Sequence, residues 1–171
     1  MEAGAYSSIE TLRDGREAVI RALRPDDREG LLSAVRHISD QALYRRFFGI
    51  KREFSASEID FFLNIDFRNH VALVAVMRDG ETSLIVGGGR YIVSSPGVAE
   101  LAFAVVDSYQ GLGLGSALIR HLIALARDAG LTEFEADVLA DNSAMLAVFR
   151  KSGLRMETNT YAGVVHARLF L

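Results

Sequence analysis

A chain of 171 residues, half of them hydrophobic, can bury roughly two thirds of its unfolded surface, so one domain with a substantial core is expected and no room is left for a second. A net charge of −3 gives no electrostatic case for nucleic acid or an anionic membrane, and the absence of cysteine excludes disulfides, thiolate metal sites and a cysteine nucleophile. The four histidines, His37, His70, His121 and His166, lack metal-ligand spacing and read as surface or supporting residues, with no metal site expected.

Residues 1–16 are polar and read as a loosely ordered lead-in with at most a short strand. They contain no apolar stretch suited to a secretory signal, and the longest apolar run, residues 71–77, is far too short to cross a bilayer. A soluble, cytoplasmic protein is the expectation. Residues 18–23 read as a strand closed by Pro25. Asp26 with Glu29 three positions on has the capping-box pattern, which predicts a helix to about His37. Ser39 caps a second helix carrying Leu43, Tyr44, Phe47 and Phe48 and ended by Gly49. Ser55 with Glu58 opens a third, with Ile59, Phe62 and Leu63 on one side. The pairs Phe47–Phe48 and Phe61–Phe62 read as core rather than as a substrate cage.

From His70 the pattern turns to strands. Residues 70–78, an Asp79-Gly80 turn and residues 83–93 read as a β-hairpin, with Gly87, Gly88 and Gly89 marking a bulge, a close backbone contact or a weak strand. After the turn Ser95-Pro96-Gly97, residues 98–106 form the next strand. A long helix follows with Leu114, Leu118, Leu122, Leu125 and Ala129 on one face, Arg120 and Arg127 opposite, and Gly130 just past its end. Residues 133–139 are a strand, Asn142 can cap a helix over 143–152, and residues 154–160 and 164–171 form a final antiparallel pair. Only two long helical connections lie among the strands. That order predicts an α/β fold with a mixed sheet, mostly antiparallel, of about seven strands flanked by helices.

The segment between the residue 98–106 strand and the long helix carries the chemistry: Tyr109-Gln110-Gly111-Leu112-Gly113-Leu114-Gly115-Ser116. Three glycines let backbone N–H groups turn outward where the positive end of the helix dipole emerges, and that combination suits a pyrophosphate. A nucleotide P-loop needs a Gly-Lys pair, which is absent, and a dinucleotide fingerprint fails because Ser116 and Leu118 stand where its third glycine belongs. What fits is [Gln/Arg]-x-x-Gly-x-[Gly/Ala], here Gln110 to Gly115. In its strand–loop–helix–strand context this loop resembles the acyl-CoA loop of the GNAT superfamily of N-acetyltransferases. The later run from Asn142 to Leu154 is similar to that family's Asn, aromatic and Lys-x-Gly pattern through Asn142, Phe149, Lys151 and Gly153. Tyr44-Arg45-Arg46-Phe47-Phe48, Ser57-Glu58, Asp66 and residues 70–75 resemble the Pat-type protein lysine acetyltransferases within it.

The resemblance implies acetyl-CoA as co-substrate and an amine as acceptor, either a protein lysine or a small molecule; a non-catalytic acyl-CoA sensor is the third reading. It implies that Phe103, Ala104 and Val105 offer backbone groups to the pantetheine arm and that Gln110, Gly111, Leu112, Gly113, Leu114, Gly115 and Ser116 hold the pyrophosphate. Asn142 reads either as a cofactor contact or as a helix cap. Phe149 occupies the place of a tyrosine that is proposed to protonate the leaving thiolate in many relatives, and phenylalanine has no proton to give. Glu100, in an otherwise apolar strand and on the same side as Val98, Ala102 and Ala104, is the candidate general base, with desolvation expected to sharpen its basicity. Pat-type relatives imply the same role there, through water. Acceptor identity, acyl-chain preference and oligomeric state are not legible.

Overall fold

A computed structural model describes residues 1–47 and 53–171. Among them one eight-stranded sheet runs in the order β1-β2-β3-β4-β5-β6-β8-β7. Its strands are β1 (Ser7–Thr11), β2 (Glu17–Ala22), β3 (His70–Asp79), β4 (Thr82–Ser95), β5 (Val98–Val105), β6 (Glu133–Leu139), β7 (Arg155–Tyr161) and β8 (Val164–Phe170). Every neighbouring pair is antiparallel except β5 and β6. The helices are α1 (Arg28–Arg36), α2 (Asp40–Phe47), α3 (Ala56–Leu63), α4 (Leu114–Asp128) and α5 (Ser143–Lys151). This is the mixed, mostly antiparallel sheet that the order of elements predicts.

Helices cover both faces of the central strands, which is why β3 reads as an unbroken apolar run. Val71, Leu73 and Ala75 enter the main core with Leu118 and Leu122 of α4, while Ala72 and Val74 face Leu31 and Leu63 on the other side. Leu114, Leu118, Leu122 and Leu125 are buried as their spacing predicts. Ala129 is exposed, because the helix has reached its C-cap there. The hairpin forms with its tip at Gly80-Glu81, between paired Asp79 and Thr82. Val86 is squeezed out of the ladder where Ala75 pairs Gly87 and Val76 pairs Ile85, so the glycine run begins at a bulge. Gly89 also admits α4: a Cβ there would stand 2.9 Å from Leu122 Cδ1.

Two local readings hold and two fail. Ser55 and Glu58 form the reciprocal capping box, and the Ala42 N–H donates to Ser39 Oγ at 3.2 Å. The box expected from Asp26 and Glu29 is absent. Asp27 instead folds back to accept the Arg24 N–H at 2.7 Å and a two-pronged bond from Arg21 at 2.7 and 2.8 Å, so a 3-10 turn precedes α1. Residues 1–16 are not a loose lead-in. Leu12 is in the core, β1 pairs along β2, and Tyr6 Oη and Glu10 hold the two ring nitrogens of His121 on α4. Phe48 and Gly49, expected to finish α2, lie outside the described residues.

Candidate active site

β5 and β6 pair only through Val98–Glu133, Ala99–Phe134 and Glu100–Glu135. Beyond that rung they separate. Leu101 to Val105 loses its strand partner on one side, and a groove of about 360 Å³ opens between the two strands. Its walls come from the second half of β5, from Ala136, Asp137 and Val138 of β6, from the loop before α4 and from one side of α5. Backbone groups of a strand edge and the N-terminus of a 15-residue helix thus face the same trough.

Gly113, at the N-cap of α4, has φ +95° and offers no capping side chain, so the first N–H groups of that helix are left for a ligand. Gly111 at φ +78° is left-handed as well, and L side chains adopt that region at a cost of about 1–2 kcal/mol. Gln110 anchors the loop rather than projecting from it: its Nε2 donates to the Val105 carbonyl at 3.1 Å. Arg13, from the turn between β1 and β2, holds the loop from the other side. Its N–H donates to the Leu112 carbonyl at 3.1 Å and its Nη1 to the Gly111 carbonyl at 3.3 Å. Arg13 also lines the groove, as do Arg45, Arg46 and Lys151. Arg45 Nε is buried there with no hydrogen bond, and Asp141 Oδ1 is 3.7 Å away. An uncapped helix start beside four cationic side chains is a donor set matched to a pyrophosphate.

Phe103, Ala104, Val105, Gln110, Gly111, Gly113, Leu114, Gly115, Ser116, Asn142 and Phe149 all border this groove; Leu112 does not, and packs toward the core instead. Asn142 is buried and caps α5, its Oδ1 accepting the Met145 N–H at 3.2 Å. Phe149 is buried edge-on against Phe103, with ring centroids 6.0 Å apart.

Glu100 stands on the last rung before the strands part, on the face it shares with Ala102 and Ala104. It is exposed and, among the described residues, makes no hydrogen bond or ion pair. The burial expected from its apolar strand is therefore missing, and Glu100 is not among the residues that line the groove. Glu135 is its registered neighbour and Asp137 lies two residues further along β6. His166 Nδ1 is 2.8 Å from Asp137 Oδ1 and its Nε2 is 3.7 Å from Glu135 Oε1. The spacing Glu133, Glu135, Asp137 already carries this signal in the sequence, since it puts three carboxylates on one strand face. No cluster able to hold a metal ion occurs among the described residues.

On the face that carries Glu100, a second cavity of about 140 Å³ lies between the sheet and α1–α3. Arg46, Ala102, Phe103 and Ala104 border both cavities. Arg90 is in its wall, its Nη1 donating to His70 Nε2 at 2.9 Å and to the Phe62 carbonyl at 3.3 Å, with the guanidinium 4.7 Å over the Phe62 ring. Burial and then the charge of Arg46 push Arg90 down to about 9, which leaves it cationic at neutral pH. Burial and then Arg90 push His70 down to about 4, so its ring is neutral and accepts from Arg90. Phe62 is thus a wall of this cavity, while Phe61, expected in the core, is 53% exposed.

Residues 35–154 match the Acetyltransferase (GNAT) family. The chain belongs to that family. It is 36% identical over 138 residues to Acetyltransferase PA5475 of Pseudomonas aeruginosa, covering 80% of this chain and 74% of the other. It is 33% identical over 144 residues to Acetyltransferase Pat of Mycolicibacterium smegmatis, covering 83% of this chain but only 42% of that protein. The solved GNAT domain of S. lividans PAT superposes with a TM-score of 0.87 at 34% identity, covering 96% of this chain and 97% of that domain. The chain is therefore a GNAT acetyltransferase of the Pat-type branch, and the family's co-substrate is acetyl-CoA.

Proposed function

We propose that this acetyltransferase moves the acetyl group of acetyl-CoA directly to a protein lysine side chain, with Glu100 as general base acting through water. The relation to Pat supports a lysine acceptor. The single observation that carries the reading is the parting of β5 and β6 immediately after Glu100: the groove begins at the next residue, Leu101, so a carboxylate with no partner among the described residues stands beside its end.

Acetyl-CoA supplies an acyl carbon already activated by its thiolate leaving group. The N–H groups at the start of α4, with Arg13 beside them, would hold its pyrophosphate, and the unpaired backbone of residues 101–105 would align its arm. A lysine ammonium with pKa of about 10.4 must shed its proton near pH 7, at a cost of roughly 4–5 kcal/mol. Glu100 is solvated and has no partner among the described residues, so a water between carboxylate and amine is the natural relay. Glu135 and Asp137 beside it make the approach acidic, which favours a cationic side chain. The amine attacks without a covalent enzyme intermediate, as the chain has no cysteine. Phe149 cannot protonate the leaving sulfur; a thiol pKa near about 8.5 makes a dedicated acid dispensable.

The test is acetylation of lysate proteins by the purified enzyme, run against a panel of free amines. Acetyl-lysine formation dependent on Glu100 supports the reading. Coenzyme A release with free amines and none with protein supports the second reading, a small-amine acceptor, which the enclosed helix-side cavity favours. No amine-dependent release of coenzyme A defeats both.

A further inference from the structure

Arg90 sits in a partly enclosed wall that is apolar apart from Arg28 and Arg46, and among the described residues no carboxylate pairs with it. Both of its hydrogen bonds leave from Nη1, to a neutral imidazole and a carbonyl, so Nε and Nη2 make no bond among the described residues and neither is sealed off from the cavity. The strongest charge acting on it is another cation, Arg46. Charges taken out of water are ordinarily paired, and a guanidinium left this way implies a partner that arrives from outside. Its surroundings are built to hold it. Asp66 Oδ1 accepts the N–H groups of Arg68, Asn69 and His70 at 2.8–2.9 Å, which fixes His70, and His70 and Phe62 together fix the guanidinium plane.

The register places this cation relative to the base. Arg90 pairs Ala102 and Glu100 pairs Ile92, so the two occupy one sheet face as diagonal neighbours with Cα atoms about 7–8 Å apart. Glu100 lines neither cavity and stands one alternation before Ala102 on that face, while Arg90 lies in the cavity wall with Nε and Nη2 unbonded among the described residues. The cavity that Arg90 lines, about 140 Å³, is comparable to an engineered cavity of about 150 Å³ that admits benzene, so a short carbon chain or one side chain fits.

We propose that the cavity between the sheet and α1–α3 is an acceptor subsite that binds a carboxylate carried by the amine substrate, with Arg90 as the anchoring residue. This rests on the amine-transfer reading above. The carboxylate belongs either to a free amino acid or to an acidic side chain next to the acceptor lysine, and the planar fork of Arg90 serves both alike.

The experiment compares kcat/KM for matched acceptors. One arm sets leucine against 3-methylbutylamine and 5-aminopentanoate against pentylamine; the other sets a lysine peptide with a flanking Glu against the same peptide with Gln. The expected result is a preference for the carboxylate partner of roughly tenfold or more in one arm, falling to near unity in Arg90→Met and to an intermediate value in Arg90→Lys. The arm that shows it identifies the source. Titration calorimetry with 4-methylpentanoate and with pentanoate, in the absence of acetyl-CoA, reads the subsite without turnover; binding should weaken at least about tenfold in Arg90→Met. Should Arg90→Met not fold, Arg90→Lys carries both measurements. An enzyme that turns over amines with no carboxylate preference and binds neither acid overturns the proposal, and so does a preference that appears only when the acyl donor carries the carboxylate. An enzyme inactive on every amine that still binds these acids through Arg90 defeats the transferase reading and leaves the subsite standing.

Discussion

The groove between β5 and β6 and the cavity beneath α1–α3 share Ala102 to Ala104 as a common wall, but they are built from different kinds of sequence information. The groove takes its strand edge, glycine turn and helix start from one continuous segment, residues 101–116, with β6 and α5 closing the other side. The cavity gathers its charged groups, Arg28, Arg46 and Arg90, from α1, α2 and β4, and His70 holds Arg90 from across a strand pair. A site of the first kind tolerates change elsewhere in the fold and depends on a few local dihedral angles. A site of the second kind depends on register, and it can be lost through a helix that shifts without any change at the polar residues themselves.

The sharpest way to break this contrast is at the rung just before the wall the two spaces share. Glu100→Gln should lower kcat for every accepted amine by about 10²–10⁴-fold while leaving acetyl-CoA affinity intact, as read by steady-state kinetics and a direct binding assay. Unchanged turnover would remove Glu100 from the mechanism. On the helix side, His70→Gln keeps an acceptor for Arg90 and removes the titration. In the parent protein the folded His70 resists protonation down to about 4, whereas the unfolded chain takes up the proton near 6.5. This contribution is fully present above about pH 6.5 and is lost as pH falls toward 4. About 2–3 kcal/mol of it is lost between pH 7 and pH 4.5, and denaturant unfolding at those two pH values should show a shallower decline in His70→Gln.

On the groove side, Gly113→Val forces a β-branched residue into φ +95°, at a cost of at least about 1–2 kcal/mol, and should weaken acetyl-CoA binding by about tenfold or more in a calorimetric titration. It should leave carboxylate binding in the helix-side cavity unchanged. The smallest expected effect lies outside both regions. The β7–β8 hairpin turns through Ala162 and Gly163 at φ +50° and +78°, a geometry that favours asparagine at the first position. Ala162→Asn should raise stability by about 0.5–1 kcal/mol with no change in turnover, as read from the denaturant midpoint.

What could be read from sequence follows the same division. The Gln110 to Ser116 loop, the Ser55–Glu58 box and the apolar face of α4 are set by neighbours three or four residues away, and local rules find them. Asp26 and Glu29 obey the same local rule but fail, since the side chain that matters is Asp27 and its partner Arg21 belongs to β2. Arg13 joins a loop 98 residues away, and Tyr6 meets His121 across 115 residues; nothing in the spacing of either segment announces the meeting. Arg90 reads in sequence as an ordinary polar residue of a strand, and only the helices laid over it make its charge unusual.

The hold of Arg13 on the carbonyls of Gly111 and Leu112 reaches further than a fastening. In a trans peptide unit the carbonyl oxygen and the following N–H point in opposite directions, and the chain has no cis units among the described residues. Drawing those two oxygens toward the first hairpin thus swings the next two amide hydrogens the other way. If this loop holds the co-substrate as proposed, recasting the β1–β2 turn that carries Arg13 would retune a loop it never follows in sequence.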